Sequence, residues 1–263
     1  MFDYGKKTYI MGILNVTPDS FSDGGDFTNV EIALKHAKDM VDEGADIIDL
    51  GGESTRPGHT FVSAQEEIKR IVPVISRLKE EINVPISVDT YKSEVAKEAL
   101  ELGVDMINDV WGLTYDDDMA EVIGKYDASV CIMHNQEGSE YDKDIMESIK
   151  EFLQNSIDKA LKAGIKKEKI VLDPGIGFGK TFEQNLEVLR RLDELKDLGY
   201  PVLLGTSRKS VLGNIVHGQP KDRVDATVAT TVLGIRDGVD IVRVHDVKEN
   251  LQAAMIADKL YRG

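Results

Sequence analysis

A (β/α)8 barrel, one domain spanning 1–263, is the fold class this sequence predicts, and three observations predict it. Eight short β-rich runs alternate with longer amphipathic segments from one end of the chain to the other. The runs are nearly continuous in apolar residues, as strands buried on both faces of a parallel sheet are. The length of 263 residues suits a closed barrel, which takes about 250. An open doubly wound sheet is the alternative, because periodicity counts elements without showing closure. No dinucleotide fingerprint follows the first strand, which weighs against it.

The strands are expected at 9–16, 46–51, 86–90, 106–110, 129–134, 170–173, 202–206 and 241–245. The first helix carries Val30, Ala33, Leu34, Ala37, Met40 and Val41 on one face. Thr28 opens it with Glu31 three residues on, a capping-box spacing. Ser63 and Glu66 repeat that spacing before Ile68, Ile71, Val72 and Ile75. Further helices are expected near 92–102, 117–125, 143–163, 183–198, 222–236 and 247–261, with 211–221 completing the seventh crossover.

Composition removes several function classes. The 32 basic and 47 acidic residues leave a net charge of −15, which opposes binding to nucleic acid or an anionic membrane. An anionic substrate must therefore be met by local cations, backbone N–H groups or a metal. Cys131 is the only cysteine and lies in an apolar run, which excludes intrachain disulfides and cysteine-rich zinc sites. No run approaches a membrane span and no charged-then-apolar leader is seen, so a cytoplasmic location is expected.

Polar residues collect where the strands end, the face on which barrels carry their active sites. In order they are Asn15; Asp49 and Glu53; Asp89; Asn108 and Asp109; His134 and Asn135; Asp173; the run 207–210; and Arg243 with His245. Any single strand-terminal Asp or Asn could simply cap the next helix, and Asp89 or Asp109 could do only that. Together they form two chemistries. Asp89, Asn108 and Asp173 suit a heterocycle rich in N–H donors. Ser207, Arg208, Lys209, Ser210, Arg243 and His245 follow strands seven and eight, where barrels frequently hold phosphate. Asn15 offers a carbonyl oxygen to a hard cation such as Mg²⁺. A transferase or lyase acting on a phosphorylated heterocycle is the reading.

Two loops rich in Gly, Ser, Asp and Pro follow the first strands: Asn15-Val16-Thr17-Pro18-Asp19-Ser20-Phe21-Ser22-Asp23-Gly24-Gly25 and Gly51-Gly52-Glu53-Ser54-Thr55-Arg56-Pro57-Gly58. Phe21 and Arg56 on such loops fit lids closing over an aromatic anion. A third glycine-rich turn, Leu172-Asp173-Pro174-Gly175-Ile176-Gly177-Phe178-Gly179-Lys180, leaves a buried strand on a carboxylate.

With Ser87-Val88-Asp89-Thr90, Ile107-Asn108-Asp109, Ser207-Arg208-Lys209-Ser210 and Arg243-Val244-His245-Asp246, these motifs resemble the dihydropteroate synthase family from Ile10 to Tyr261. The resemblance implies a barrel that joins p-aminobenzoate to 6-hydroxymethyl-7,8-dihydropterin pyrophosphate in folate biosynthesis. It implies that Asp89, Asn108, Asp173 and Lys209 bind the pterin, and that Thr55, Arg243 and His245 bind the pyrophosphate. By the same resemblance Phe21, Arg56, Pro57, Phe178 and Ser210 form the p-aminobenzoate pocket and Asn15 holds Mg²⁺. Asp89, Asp173, Lys209, Arg243 and His245 would carry the catalysis. Sulfonamides would compete with p-aminobenzoate, and a homodimer is expected.

Overall fold

Eight apolar runs, each too short to bury itself, find their partners in one parallel sheet. The computed structural model describes residues 2–17, 26–54 and 61–263. The strands are β1 (Tyr9–Asn15), β2 (Ile47–Gly51), β3 (Ile86–Asp89), β4 (Met106–Asp109), β5 (Ser129–Met133), β6 (Ile170–Asp173), β7 (Leu203–Leu204) and β8 (Ile241–Val244). They lie side by side in the order β6-β5-β4-β3-β2-β1-β8-β7. A parallel bridge between Leu172 and Val202 brings β6 back to the start of β7, with the Leu172 amide donating to Pro201 O at 2.9 Å. The sheet therefore curls into a (β/α)8 barrel.

The helices are α1 (Asp26–Asp42), α2 (Ala64–Glu81), α3 (Ser93–Glu101), α4 (Met119–Lys125), α5 (Ile145–Lys162), α6 (Phe182–Arg190), α7 (Ser210–Val216), α8 (Val224–Arg236) and α9 (Val247–Tyr261). Their apolar stripes cover the outside of the sheet in one large core. In α2 that stripe is Ile71, Val74, Ile75 and Leu78, a 3–4 spacing that keeps one face inward.

The structure corrects several expected boundaries. Helix α1 starts at Asp26, so Thr28 lies two residues inside it instead of at its start. At α2, Ser63 Oγ accepts from the Glu66 amide at 3.2 Å, but the Glu66 carboxylate goes to Arg70 instead of closing a box. The reciprocal box is made by Thr181 and Gln184 at α6. The 183–198 helix splits: α6 ends at Arg190 and a 3-10 turn covers 192–198. The seventh crossover holds two helices, the short α7 before α8. Strand β7 is two residues long rather than five. Pro201 precedes it without an N–H, and Gly205 follows it.

Among the described residues, no helix is long and apolar enough to cross a membrane.

Candidate active site

The barrel interior changes character over one two-residue step. Residues i and i+2 of a strand point the same way. Tyr9, Met11, Ile47, Met106, Cys131, Val171, Leu203 and Ile241 form a buried apolar plug of their own, distinct from the core under the helices. Two residues further along, Ile47 gives way to Asp49, Met106 to Asn108, Val171 to Asp173 and Ile241 to Arg243. On β3 the same step leads from Ser87 to Asp89. A polar layer thus lies on an apolar floor, at the C-terminal ends of the strands.

Arg243 is the hub of one half of that layer. Its Nε donates to Asp49 Oδ2 at 2.6 Å and its Nη2 to Asp89 Oδ2 at 2.8 Å. Asn108 Nδ2 donates to the same Asp49 oxygen at 3.2 Å. The other oxygens, Asp49 Oδ1 and Asp89 Oδ1, are buried without a hydrogen bond among the described residues. Burial raises the Asp89 carboxyl to about 7; Arg243 pulls it down and Asp49 pushes it back up. Burial outweighs the attraction of Arg243, so the carboxyl lies above its ordinary range. Burial also opposes the Arg243 charge, but Asp49 and Asp89 outweigh it and hold the guanidinium above its usual range.

The other half is built on the turn after β6. Asp173 Oδ1 accepts from the Gly175 amide at 2.7 Å. Its Oδ2 and the Lys209 ammonium each lie 3.8 Å from where a Cβ on Gly205 would sit, so glycine there keeps the space between them open. Lys209 donates to Ile176 O, and its Nζ stands 4.7 Å from the centre of the Phe178 ring. Burial pushes the Asp173 carboxyl up, opposed by Lys209. Burial likewise brings the Lys209 ammonium down to about 8, opposed by Asp173. Each keeps the other charged.

Beside these, Ser207 and His245 bond to one another, with Ser207 Oγ 2.9 Å from His245 Nδ1. Arg208, at a left-handed φ of 57°, grips Asp246, with Nε 3.0 Å from Oδ2. That pairing turns Arg208 away from the polar layer and toward the start of α9. Ser210 is exposed at the first position of α7. Asp109 takes the amides of Trp111 at 2.8 Å and Leu113 at 2.7 Å, so it caps the turn after β4. Asn15, at the end of β1, sets its Oδ1 3.4 Å from the missing Cβ of Gly51. Phe21, Thr55, Arg56 and Pro57 lie outside the described residues.

Three features escaped the sequence reading. Asp49 is a direct partner of Arg243, and its two-residue offset from Ile47 was the available signal. Glu53 is buried just past β2, where it accepts from Tyr91 Oη at 3.1 Å and from Lys92, whose ammonium also meets Glu67 at 2.6 Å. Lys180 lies beside His134, which carried no firm role in the sequence. A cavity of about 650 Å³ lined by Tyr4, Tyr126, Lys167 and Tyr200 sits at the N-terminal ends of the strands. It is on the far side of the plug from the polar layer.

Comparison with known proteins agrees with this geometry. The family described as pterin binding enzyme matches residues 11–245. A dihydropteroate synthase of Clostridium beijerinckii is 55% identical over 99% of this chain and 97% of its own. One from Bacillus subtilis is 49% identical over 98% of this chain and 90% of its own. A dihydropteroate synthase from Clostridium difficile, solved in the presence of pteroic acid, superposes with a TM-score of 0.99 at 72% identity over 100% of both chains. One from Yersinia pestis, solved with a sulfonamide drug, gives 0.92 at 43% identity, covering 98% of this chain and 96% of that one. By fold, by the matched span and by its relatives, this chain belongs to the dihydropteroate synthases, transferases of folate biosynthesis within the pterin-binding enzyme family.

Proposed function

We propose that the polar layer is where this chain joins p-aminobenzoate to 6-hydroxymethyl-7,8-dihydropterin pyrophosphate, in the cytoplasm and as a homodimer. One observation carries the site reading. Two buried carboxylate oxygens, Asp49 Oδ1 and Asp89 Oδ1, have acceptor capacity left over in the polar layer that also holds Asn108, Asp173 and Lys209. Buried acceptors of this kind call for a ligand presenting N–H groups, because leaving them unpaired is costly. A pterin has such an edge.

On this reading Asp89, Asn108 and Asp173 accept from or orient the pterin, and Lys209 donates to its carbonyl. Two of the three Arg243 nitrogens are taken by Asp49 and Asp89; the third and His245 face the pyrophosphate, with Thr55 assigned there by family resemblance. Phe178 and Ser210, with Phe21, Arg56 and Pro57 from the loops, would frame p-aminobenzoate. Breaking the pterin methylene C–O bond sends its electron pair to the departing pyrophosphate and leaves a cation on the pterin. The excess negative charge of Asp49 and Asp89 over Arg243 favours that cation. The arylamine nitrogen then forms the C–N bond and loses one proton. Its lone pair is free at neutral pH, so no strong base is required. Losing one aligned donor on the leaving group costs about 3–4 kcal/mol of barrier.

Mg²⁺ fits beside Asn15. The amide oxygen is a hard donor, the bare Gly51 leaves room next to it, and Mg²⁺ takes its remaining ligands from phosphate oxygens and water. Bound there it would neutralise charge on the pyrophosphate. Among the described residues no group of three His, Cys, Asp or Glu side chains competes to cage a metal.

The homodimer reading rests on an apolar stripe. Leu233 of α8 and Met255, Ile256, Leu260 and Tyr261 of α9 are exposed together, a grouping that marks an association surface. Ile256→Asp should then halve the particle mass in light scattering. The activity itself is tested by pyrophosphate release, which should require p-aminobenzoate and fall when a sulfonamide is added. Release independent of p-aminobenzoate would refute the reading.

A further inference from the structure

The turn between β6 and α6 is organised around one ammonium that the reaction does not use. Lys180 Nζ lies 2.9 Å from His134 Nδ1, 3.0 Å from Gly175 O and 3.0 Å from Phe178 O. Burial lowers the Lys180 ammonium to about 7, opposed by Asp173. The ammonium donates to all three groups, and the neutral amine donates to the two carbonyls while accepting from Nδ1–H, so the three bonds hold in either state. With Lys180 charged, His134 Nδ1 is the accepting, lone-pair nitrogen. Burial holds His134 down to about 3, with the Lys180 charge adding to the effect, so the ring stays neutral.

The same turn is tied elsewhere by side chains. Asn185 Oδ1 accepts from the Gly177 amide at 2.6 Å, and Tyr141 Oη donates to Gly179 O at 2.9 Å. Gly175 has no alternative residue: its φ is +70°, and a Cβ would stand 1.9 Å from His134 O. What this turn presents to the site is the Ile176 carbonyl, which accepts from Lys209, and the Phe178 ring beneath the Lys209 ammonium. Lys180 holds the carbonyls on either side of that carbonyl, at Gly175 and Phe178.

We propose that Lys180 is a positioning residue: through Gly175 O, Phe178 O and His134 Nδ1 it sets Ile176 O and the Phe178 ring, and these set the direction in which Lys209 donates to the substrate. His134 acts as the third anchor of that nitrogen. The inference rests on the assignment of Lys209 to the pterin made above. It differs from a purely structural role in one respect. If Lys180 acts by way of Lys209, its removal should matter little once Lys209 is gone.

A double-mutant cycle reads this directly. Pteroic acid binding is measured by calorimetry for the unmodified protein, Lys180→Met, Lys209→Met and the double variant, all below their melting temperatures. Both single variants should bind at least about tenfold more weakly, and the double variant should be close to Lys209→Met alone, the behaviour of coupled neighbours. Additive losses, or normal binding by Lys180→Met beside weakened Lys209→Met, would overturn the proposal and leave the site assignment standing. Normal binding by Lys209→Met would overturn the site assignment itself. Lys180→Gln, which keeps two donors and drops the charge, repeats the cycle if the methionine variant does not fold. Failure of both to fold would make Lys180 a stability residue and end the proposal.

Discussion

Ser207 and His245, on neighbouring strand ends, hold one another twice. The His245 amide donates to Ser207 Oγ at 3.1 Å, and that oxygen lies 2.9 Å from His245 Nδ1. The hydroxyl accepts from the amide and either gives its own hydrogen to Nδ1 or accepts from Nδ1–H, and in both cases it fixes the orientation of the ring. The ring held in this way is the part of His245 assigned above to the pyrophosphate. Ser207→Ala should release the ring from this orientation and weaken pyrophosphate as a product inhibitor by about tenfold, the scale of one lost hydrogen bond to a charged group. Pteroic acid, which has no pyrophosphate, should bind as before. Inhibition constants for the two ligands check this, and equal weakening of both would contradict it.

Arg243 stabilises the fold as well as the site. Arg243→Ala leaves Asp49 and Asp89 facing each other unpaired, which should cost about 3–5 kcal/mol of stability near neutral pH. The pH dependence has a definite sign. The Asp89 carboxyl is raised from 3.8 to about 7, so the folded chain holds this proton more tightly than the unfolded one. Ionising it costs stability, a cost absent below the ordinary carboxyl range and complete above about 7. Without Arg243 that cost grows. Urea denaturation should show a larger deficit at pH 8 than at pH 5.

Lys209 sets an alkaline limit on substrate binding. Burial lowers its ammonium from 10.5 to about 8, so the charge is present below that value and lost as pH rises through it. Pteroic acid affinity should fall on the alkaline side with a midpoint near 8. Lys209→Arg should abolish that limb, since a guanidinium stays charged. A limb unchanged in the arginine variant would assign it to another group.

Gly175→Ala should be among the most damaging single-atom additions in the chain. It forces an L side chain into a left-handed backbone and drives a methyl group into the His134 carbonyl. The strain alone is about 1–3 kcal/mol, before the clash is added. A drop in melting temperature of several degrees, together with loss of pteroic acid binding, is the expected outcome. Gly138→Ala meets nothing within 4 Å of its new Cβ. It isolates the backbone strain and should cost less.

The barrel was legible because buried parallel strands announce themselves as unbroken apolar runs. The polar rim was legible because Asp, Asn and Arg at the ends of such runs have no place in a core. What the sequence showed less plainly was pairing. Asp49 and Arg243 are 194 residues apart, and only the two-residue stride from Ile47 and from Ile241 places them in one layer. Arg208 looked like part of the phosphate cluster until its bond to Asp246 turned it aside. Lys180 read as the tail of a motif, since nothing local reveals that three acceptors from two loops converge on it. Thr28 and Glu31 have the spacing of a helix start, but the helix already runs from Asp26. The roles of Phe21, Thr55, Arg56 and Pro57 rest on resemblance alone.

Cys131 belongs to the apolar floor beneath the polar layer, fully enclosed, and burial drives its thiol far above the ordinary range. Being the chain's only sulfhydryl, it gives thiol-directed alkylating agents nothing to attack while the barrel is shut. Its labelling becomes a clock for opening: each modified molecule records one excursion in which the strands parted.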